Sequence, residues 1–247
     1  MYHIISVFLC LSLLSTLGCK SVQHLSSVQT QNIRTDQTIP KDASIESIIK
    51  PYRTEMAAEM DEVLGHLEED LIKGRPNSNM GNWFCDILYD EANKMFFEEV
   101  DFALQNYGGL RLSSLPKGPL TKGEIFQLMP FDNTLVVLVM EGKVMKRLLD
   151  ALASKGGWPI SKGLSFKISG DKATDIMIQD KPFDINSSYR VAVPDYVANG
   201  GDQASFLKTL PQEESGVFIR EILIAHLGDL KEAGLPITID SRQRITK

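Results

Sequence analysis

Residues 134–140, Thr-Leu-Val-Val-Leu-Val-Met, run without a single charged or amide side chain and are rich in β-branched residues. A strand with one wet face alternates apolar and polar positions, so a run with no alternation has to be covered on both faces. The chain must therefore build a sheet packed between layers. A helical pattern follows at once over Lys143–Lys155, with Val144, Leu148, Leu149 and Leu152 on one face and Gly156-Gly157 as the stop.

The rest of the chain reads as interleaved helices and strands. Helical spacing is found at Ile45, Ile48, Ile49, Tyr52, Met56 and Met60, and again over Met80–Phe97. Thr121 and Glu124 have the spacing of a capping box that opens a short helix through Leu128. Further strands are expected at Asp101–Asn106, Leu164–Ile168, Ile176–Ile178, Tyr189–Pro194 and Ile237–Asp240, and a last helix over Val217–Leu227 capped by Gly228. No repeat and no strict strand-helix-strand period is present, which predicts an α+β fold with a mixed β-sheet layered with helices.

Charge and cysteine content narrow the partners. The formal net charge of −6 leaves no global basic field for nucleic acid. Three cysteines, Cys10, Cys19 and Cys85, match neither a disulfide framework nor a zinc pattern. No phosphate-binding loop, nucleophile elbow, dinucleotide fingerprint or zinc-protease helix occurs, and none of the four histidines has a second at ligand spacing, so no metal site is expected in this chain.

The N-terminus reads as a targeting segment. Residues 4–18 are apolar but shorter than the about 20 residues a membrane span needs, which suits a signal peptide over residues 1–18. Thr16-Leu17-Gly18-Cys19 resembles a bacterial lipobox, which implies lipidation of Cys19, anchoring to a membrane and a place in the cell envelope, periplasmic or on the outer surface. The polar residues that follow, to residue 42, read as a flexible tether, and the folded domain is expected over residues 43–247.

Three polar or glycine-rich clusters sit at the ends of apolar elements: Gln105–Arg111, Met129–Thr134 and Pro194–Asp202. Glycine pairs at strand ends let a ligand approach the backbone, an Arg offers a planar fork to phosphate, and an aromatic ring on a turn offers a stacking face. Each cluster by itself also suits an ordinary tight turn. Together, in order and spacing, Asn106-x-Gly-Gly-Leu-Arg111, Leu-Thr121-x-Gly-Glu, Met-Pro-Phe131-Asp-Asn-Thr and Ala-Asn199-Gly-Gly-Asp202 resemble the C-terminal domain of bacterial and animal 5'-nucleotidases. Gly81-Asn82 and the helix it opens extend the resemblance over most of residues 43–227.

The resemblance implies a substrate-recognition domain for a nucleotide or nucleoside. The base would stack between Phe131 and Tyr196, Asn106 would bond the base, Arg111 would hold phosphate and Asp202 would accept the ribose hydroxyls, on loops shaped by Gly108, Gly109, Asn199, Gly200 and Gly201. Tyr107 stands where the family often has Gly, Tyr196 where many members have Phe, and Asn79 and Asn82 where some members place a second phosphate-binding Arg. The family's catalytic half is a phosphoesterase domain whose Asp-x-His and Gly-Asn-His motifs hold two metal ions. Neither motif occurs here. The expectation is the nucleotide-recognition half of a 5'-nucleotidase that needs no cofactor of its own and works with a metallophosphoesterase carrying the divalent metal pair. The alternative is a non-catalytic nucleotide- or nucleotide-sugar-binding lipoprotein.

Overall fold

The computed structural model describes Ser27, Thr30 and residues 39–247. The expected signal peptide, Cys19 and most of the tether lie outside the described residues. The chain divides into two units, residues 1–47 and residues 48–247. In the first, Asp42 caps a helix start, its carboxylate accepting from the Ser44 amide at 2.8 Å. The helix, α1 (Ala43–Met60), begins in this unit and continues through Pro51 in the second, and none of its residues is buried.

The second unit holds β1 (Val63–Leu67), β2 (Leu71–Ile72), α2 (Asn79–Met95), β3 (Phe102–Ala103), β4 (Ser114–Leu115), β5 (Gly118–Thr121), α3 (Lys122–Leu128), β6 (Thr134–Glu141), α4 (Gly142–Ser154), β7 (Leu164–Ser169), β8 (Lys172–Ile178), β9 (Lys181–Pro182), β10 (Ser188–Pro194), α5 (Asp195–Ala198), β11 (Gln212–Phe218), α6 (Ile219–Glu232) and β12 (Ile245–Thr246). The central sheet has the order β11-β6-β10-β3, and a second four-stranded sheet the order β12-β7-β8-β9.

The uninterrupted apolar run behaves as its composition requires. Along β6, Leu135 and Val137 enter one core with α2, α3 and α6, while Val136, Leu138 and Met140 enter another with α4 and the second sheet. On β10, Ala192 faces the first core and Val191 and Val193 the second. The central sheet is thus the shared wall of two cores, and burying its side chains contributes about 25 cal/mol per Å² of apolar surface.

Local signals set several boundaries. The Thr121 hydroxyl accepts from the Glu124 amide while Glu124 reaches back to the Thr121 amide, which completes the capping box of α3. Ser78 caps α2 through the Gly81 amide at 2.9 Å. Beyond α4, Gly156 and Gly157 take φ of +77° and +95°, which side chains with a Cβ rarely adopt.

Several boundaries differ from the expectation, and the strand expected at Ile176–Ile178 already starts at Lys172. Gly228 does not cap the last helix: α6 continues to Glu232 because Leu230 packs on the first core, and that burial outweighs the cost of an interior glycine. Val217 and Phe218 belong to β11, an edge strand, and not to that helix. Ile237–Asp240 forms no strand; its apolar side chains pack on the first core and its backbone is tied instead to Asn82, whose amide donates to the Asp240 carbonyl at 2.7 Å. The strand expected at Asp101–Asn106 keeps a ladder only at Phe102–Ala103, after which the Gln105 amide turns to Pro159.

Candidate functional site

Strand directions bring the three polar clusters together. β10 runs parallel to β3 and antiparallel to β6. The residues after β3, those after β10 and those before β6 therefore leave the central sheet at one end. They are the segments 105–111, 195–203 and 129–133.

The result is a cavity of about 540 Å³ lined by Asn106, Gly108, Gly109, Arg111, Phe131, Asp132, Asn133, Tyr196 and Asp202. Its size suits a small organic ligand. All five residues expected to contact a ligand lie on its wall, as do Gly108 and Gly109. Asn199, Gly200 and Gly201 do not line it. A Cβ on Gly201 would overlap the Tyr196 ring, so that glycine lets the ring lie flat on the backbone. Phe131 and Tyr196 remain 39% and 46% exposed, unusual for aromatic rings in a molecule with two well-filled cores, and they leave apolar faces open at the cavity.

The polar end is wired from within. The Asn106 amide nitrogen donates to an Asp202 carboxylate oxygen at 2.6 Å, and the Asn106 oxygen accepts from Gln105 at 3.0 Å. Asn106 is 6% exposed. One N–H and one lone pair of its amide stay free for a ligand, so its first task is to orient Asp202. The Tyr196 hydroxyl accepts from the Asp202 amide at 3.3 Å, which links the ring to the same loop. Asn133 donates to Asp195 at 2.8 Å and ties the Phe131 segment to the start of α5, one residue before Tyr196.

Three cations lie near one another, of which Arg111 lines the cavity. Arg111 lies 5.6 Å from the Phe131 ring centroid and donates to the Gly108 carbonyl at 3.3 Å. Lys73 and Arg75 both lie over the Tyr107 ring, at 4.1 and 3.8 Å from its centroid. Among the described residues none of the three is paired with a carboxylate. Burial, and after it the charges of Arg111 and Arg75, holds the Lys73 ammonium below the usual lysine range. An uncompensated group of this kind attracts an anion.

Four further residues shape this site, and the sequence assigns none of them a role. Tyr107, inside the first cluster, gathers Lys73 and Arg75 on its ring. Arg220, at the start of α6, donates to the Phe131 carbonyl at 3.3 Å and to Asp132 at 2.9 Å, bracing the segment that carries Phe131. Lys155 reaches the Asp202 carbonyl at 2.7 Å. Gln105 holds Asn106 from below, with its amide against Gly109. None lies at a spacing that marks a site; only the motif residues beside them did.

Metal donors do not assemble in the same way. Among the described residues no three His, Cys, Asp or Glu side chains stand together so as to share an ion. Among them, too, no helix is long and apolar enough to cross a membrane.

One sheet end of this α+β domain gathers two open aromatic faces, an oriented carboxylate and the Arg111 guanidinium around one cavity. The chain belongs to the 5'-nucleotidase C-terminal domain family, whose sequence profile matches residues 63–209. Protein UshA of Yersinia enterocolitica is 30% identical over 192 residues, 74% of this chain and 34% of the relative. A 5'-nucleotidase of Vibrio parahaemolyticus is 27% identical over 192 residues, 74% of this chain and 33% of the relative. The crystal structure of a 5'-nucleotidase precursor from Thermus thermophilus superposes with a TM-score of 0.72 at 28% identity, covering 84% of this chain and 43% of that one. The chain thus spans about a third of the length of the curated relatives it matches.

Proposed function

We propose that this chain recognises nucleoside 5'-phosphates as the substrate-recognition half of a 5'-nucleotidase, and that a metallophosphoesterase partner performs the hydrolysis to nucleoside and phosphate. The observation that carries the reading is the convergence of Phe131, Tyr196, Asp202 and Arg111, from three separate segments, on one cavity. A base inserted between the two rings gains about 1–3 kcal/mol from stacking, whatever its identity. Asp202, turned by Asn106, accepts from the vicinal hydroxyls of the ribose. The 5'-phosphate then meets Arg111 on the cavity wall, where the nearby charges of Lys73 and Arg75 add to the attraction. These contacts alone support an affinity of roughly millimolar to micromolar, fitting for a module that hands its ligand to a second site.

The divalent metal pair of such a reaction belongs to the partner. Lipidation of Cys19 and anchoring in the cell envelope are part of the same proposal. It places recognition and any partner on the same membrane.

Titration calorimetry of the chain with AMP, adenosine and inorganic phosphate tests the reading, repeated on Phe131→Ala and Asp202→Ala. The expected result is binding of AMP and adenosine that both variants weaken about fivefold or more, and AMP hydrolysis that rises when a metallophosphoesterase encoded beside this chain is added. No binding to the native chain overturns the proposal. Binding that no phosphoesterase converts into hydrolysis gives the non-catalytic nucleotide-binding lipoprotein instead.

A further inference from the structure

Asp202 occupies a backbone region that residues with a Cβ avoid, and so does its neighbour: φ is +49° at Asp202 and +67° at Gln203, after +87° at Gly200. Two consecutive non-glycine residues in the left-handed region each cost free energy and persist only where the surroundings hold them. The Ala204 amide closes the turn onto the Gly201 carbonyl at 3.0 Å, and three side chains hold Asp202 within it. Asn106 takes the carboxylate, the Tyr196 hydroxyl accepts from the amide, and the Lys155 ammonium donates to the carbonyl at 2.7 Å.

Of these, the Lys155 contact comes from outside the ligand cavity. Lys155 follows α4 directly, and the helix end is locked, with the Gly157 amide donating to the Leu152 carbonyl at 2.9 Å. A Cβ on Gly157 would press on the Pro76 backbone, so this turn is wedged against the segment that carries Arg75. The ammonium has no carboxylate partner among the described residues and otherwise lies near the Trp158 ring, 5.7 Å from its centroid. A lysine charge aimed at a lone carbonyl, from a fixed helix end, is a device for holding that carbonyl in place.

We infer that Lys155 is a positioning residue for ribose recognition: by pinning the Asp202 carbonyl it keeps the left-handed loop folded so that the Asp202 carboxylate faces the sugar hydroxyls. The inference rests on reading the cavity as a nucleoside site, and it deepens that reading by naming what sets its preference for a ribose diol. Without the ammonium, the loop relaxes toward ordinary backbone angles and the carboxylate turns away, while the stacking rings stay in place.

The test is titration of the full chain with adenosine and with 2',3'-dideoxyadenosine, for native protein, Lys155→Met and Lys155→Arg. The native chain should prefer adenosine by about tenfold or more, as a charged acceptor lost to the ligand implies. Lys155→Met should bring that ratio to within about twofold of unity, with dideoxyadenosine affinity changed by less than about twofold, and Lys155→Arg should restore most of the preference. A merely structural role would weaken both ligands equally; that result, or a native ratio retained in Lys155→Met, overturns the inference and leaves the nucleoside reading intact. A native chain that binds neither ligand overturns that reading and the inference with it.

Discussion

The amide nitrogen of Asn106 donates to the carboxylate of Asp202 at 2.6 Å, across 96 residues of sequence. This bond joins the segment after β3 to the segment after β10 and fixes the polar end of the cavity. Replacing Asn106 by Asp would put two carboxylates in contact, a pair that cannot both ionise cheaply. Asn106→Asp should therefore lose about 1–3 kcal/mol of stability at pH 7.5, as a lower melting temperature. Because the pair is relieved by sharing a proton, the deficit should shrink as pH falls toward 5. A deficit independent of pH would show that the contact carries no charge repulsion.

The aromatic pair makes a prediction of the opposite kind. Phe131 and Tyr196 are partly exposed, so truncating either leaves little cavity in the core. Phe131→Ala and Tyr196→Ala should each cost about 1–3 kcal/mol of nucleoside binding while shifting the melting temperature by only a few degrees. Tyr196→Phe keeps the stacking face and loses the acceptor for the Asp202 amide. It should fall between the native chain and Tyr196→Ala in calorimetric titration with adenosine.

How much of this was legible depended on whether a contact was local. Thr121 and Glu124 announce their capping box because both partners lie within one turn, and the Leu135–Met140 alternation between two cores follows from an apolar run that can only be buried twice. Phe131, Arg111 and Asp202 stood out through a family motif. Tyr107 holding Lys73 and Arg75, Lys155 holding Asp202, and Arg220 bracing Phe131 are contacts through space, and nothing in the neighbouring sequence reports them. β11 was missed for a related reason: as an edge strand exposed on both faces it reads Gln-Glu-Glu-Ser-Gly-Val-Phe, without the alternation that burial imposes. At Ile237–Asp240 alternation was present and misled, since it reports one buried face and not a ladder.

Gly201 offers a test of the ring's seat. A Cβ there would collide with the Tyr196 ring, whereas Gly170, on a turn between β7 and β8, has open space around it. Gly201→Ala should displace the ring and weaken adenosine binding by about fivefold or more. Gly170→Ala, at φ +59°, should cost about 1 kcal/mol of stability through its backbone and leave binding unchanged. Equal binding by both variants would remove the ring's close packing from the account.

The acid limit of stability is set in part by Asp240. The Arg242 side chain foremost, with the Arg242 amide and Arg244 adding to it, holds this carboxyl well below the usual carboxylate range. A depressed folded value means that the stabilisation is complete above the unfolded carboxyl value of about 3.9 and is lost as pH falls through the folded one. Melting temperature should thus decline below about pH 4, and Asp240→Asn, less stable at neutral pH, should show a shallower decline. Parallel curves for the two proteins would mean that other carboxylates set the limit.

Arg244 anchors the C-terminal segment more deeply than any other charge described here. It is 6% exposed, donates to both Asp86 oxygens at 2.9 and 2.7 Å, to Asp240 at 3.0 Å and to the Ile160 carbonyl at 2.8 Å. Removing one member of such a cluster leaves the others desolvated and unpaired, which costs more than the cluster itself contributes. Arg244→Met should lose about 3–5 kcal/mol in urea unfolding, and Arg244→Lys somewhat less, because an ammonium cannot pair both Asp86 oxygens in the same plane. No residue of this cluster lines the ligand cavity, so the folded fraction of Arg244→Lys at low temperature should bind adenosine as the native chain does. Lost affinity in that fraction would show that the C-terminal segment governs the cavity as well as the fold.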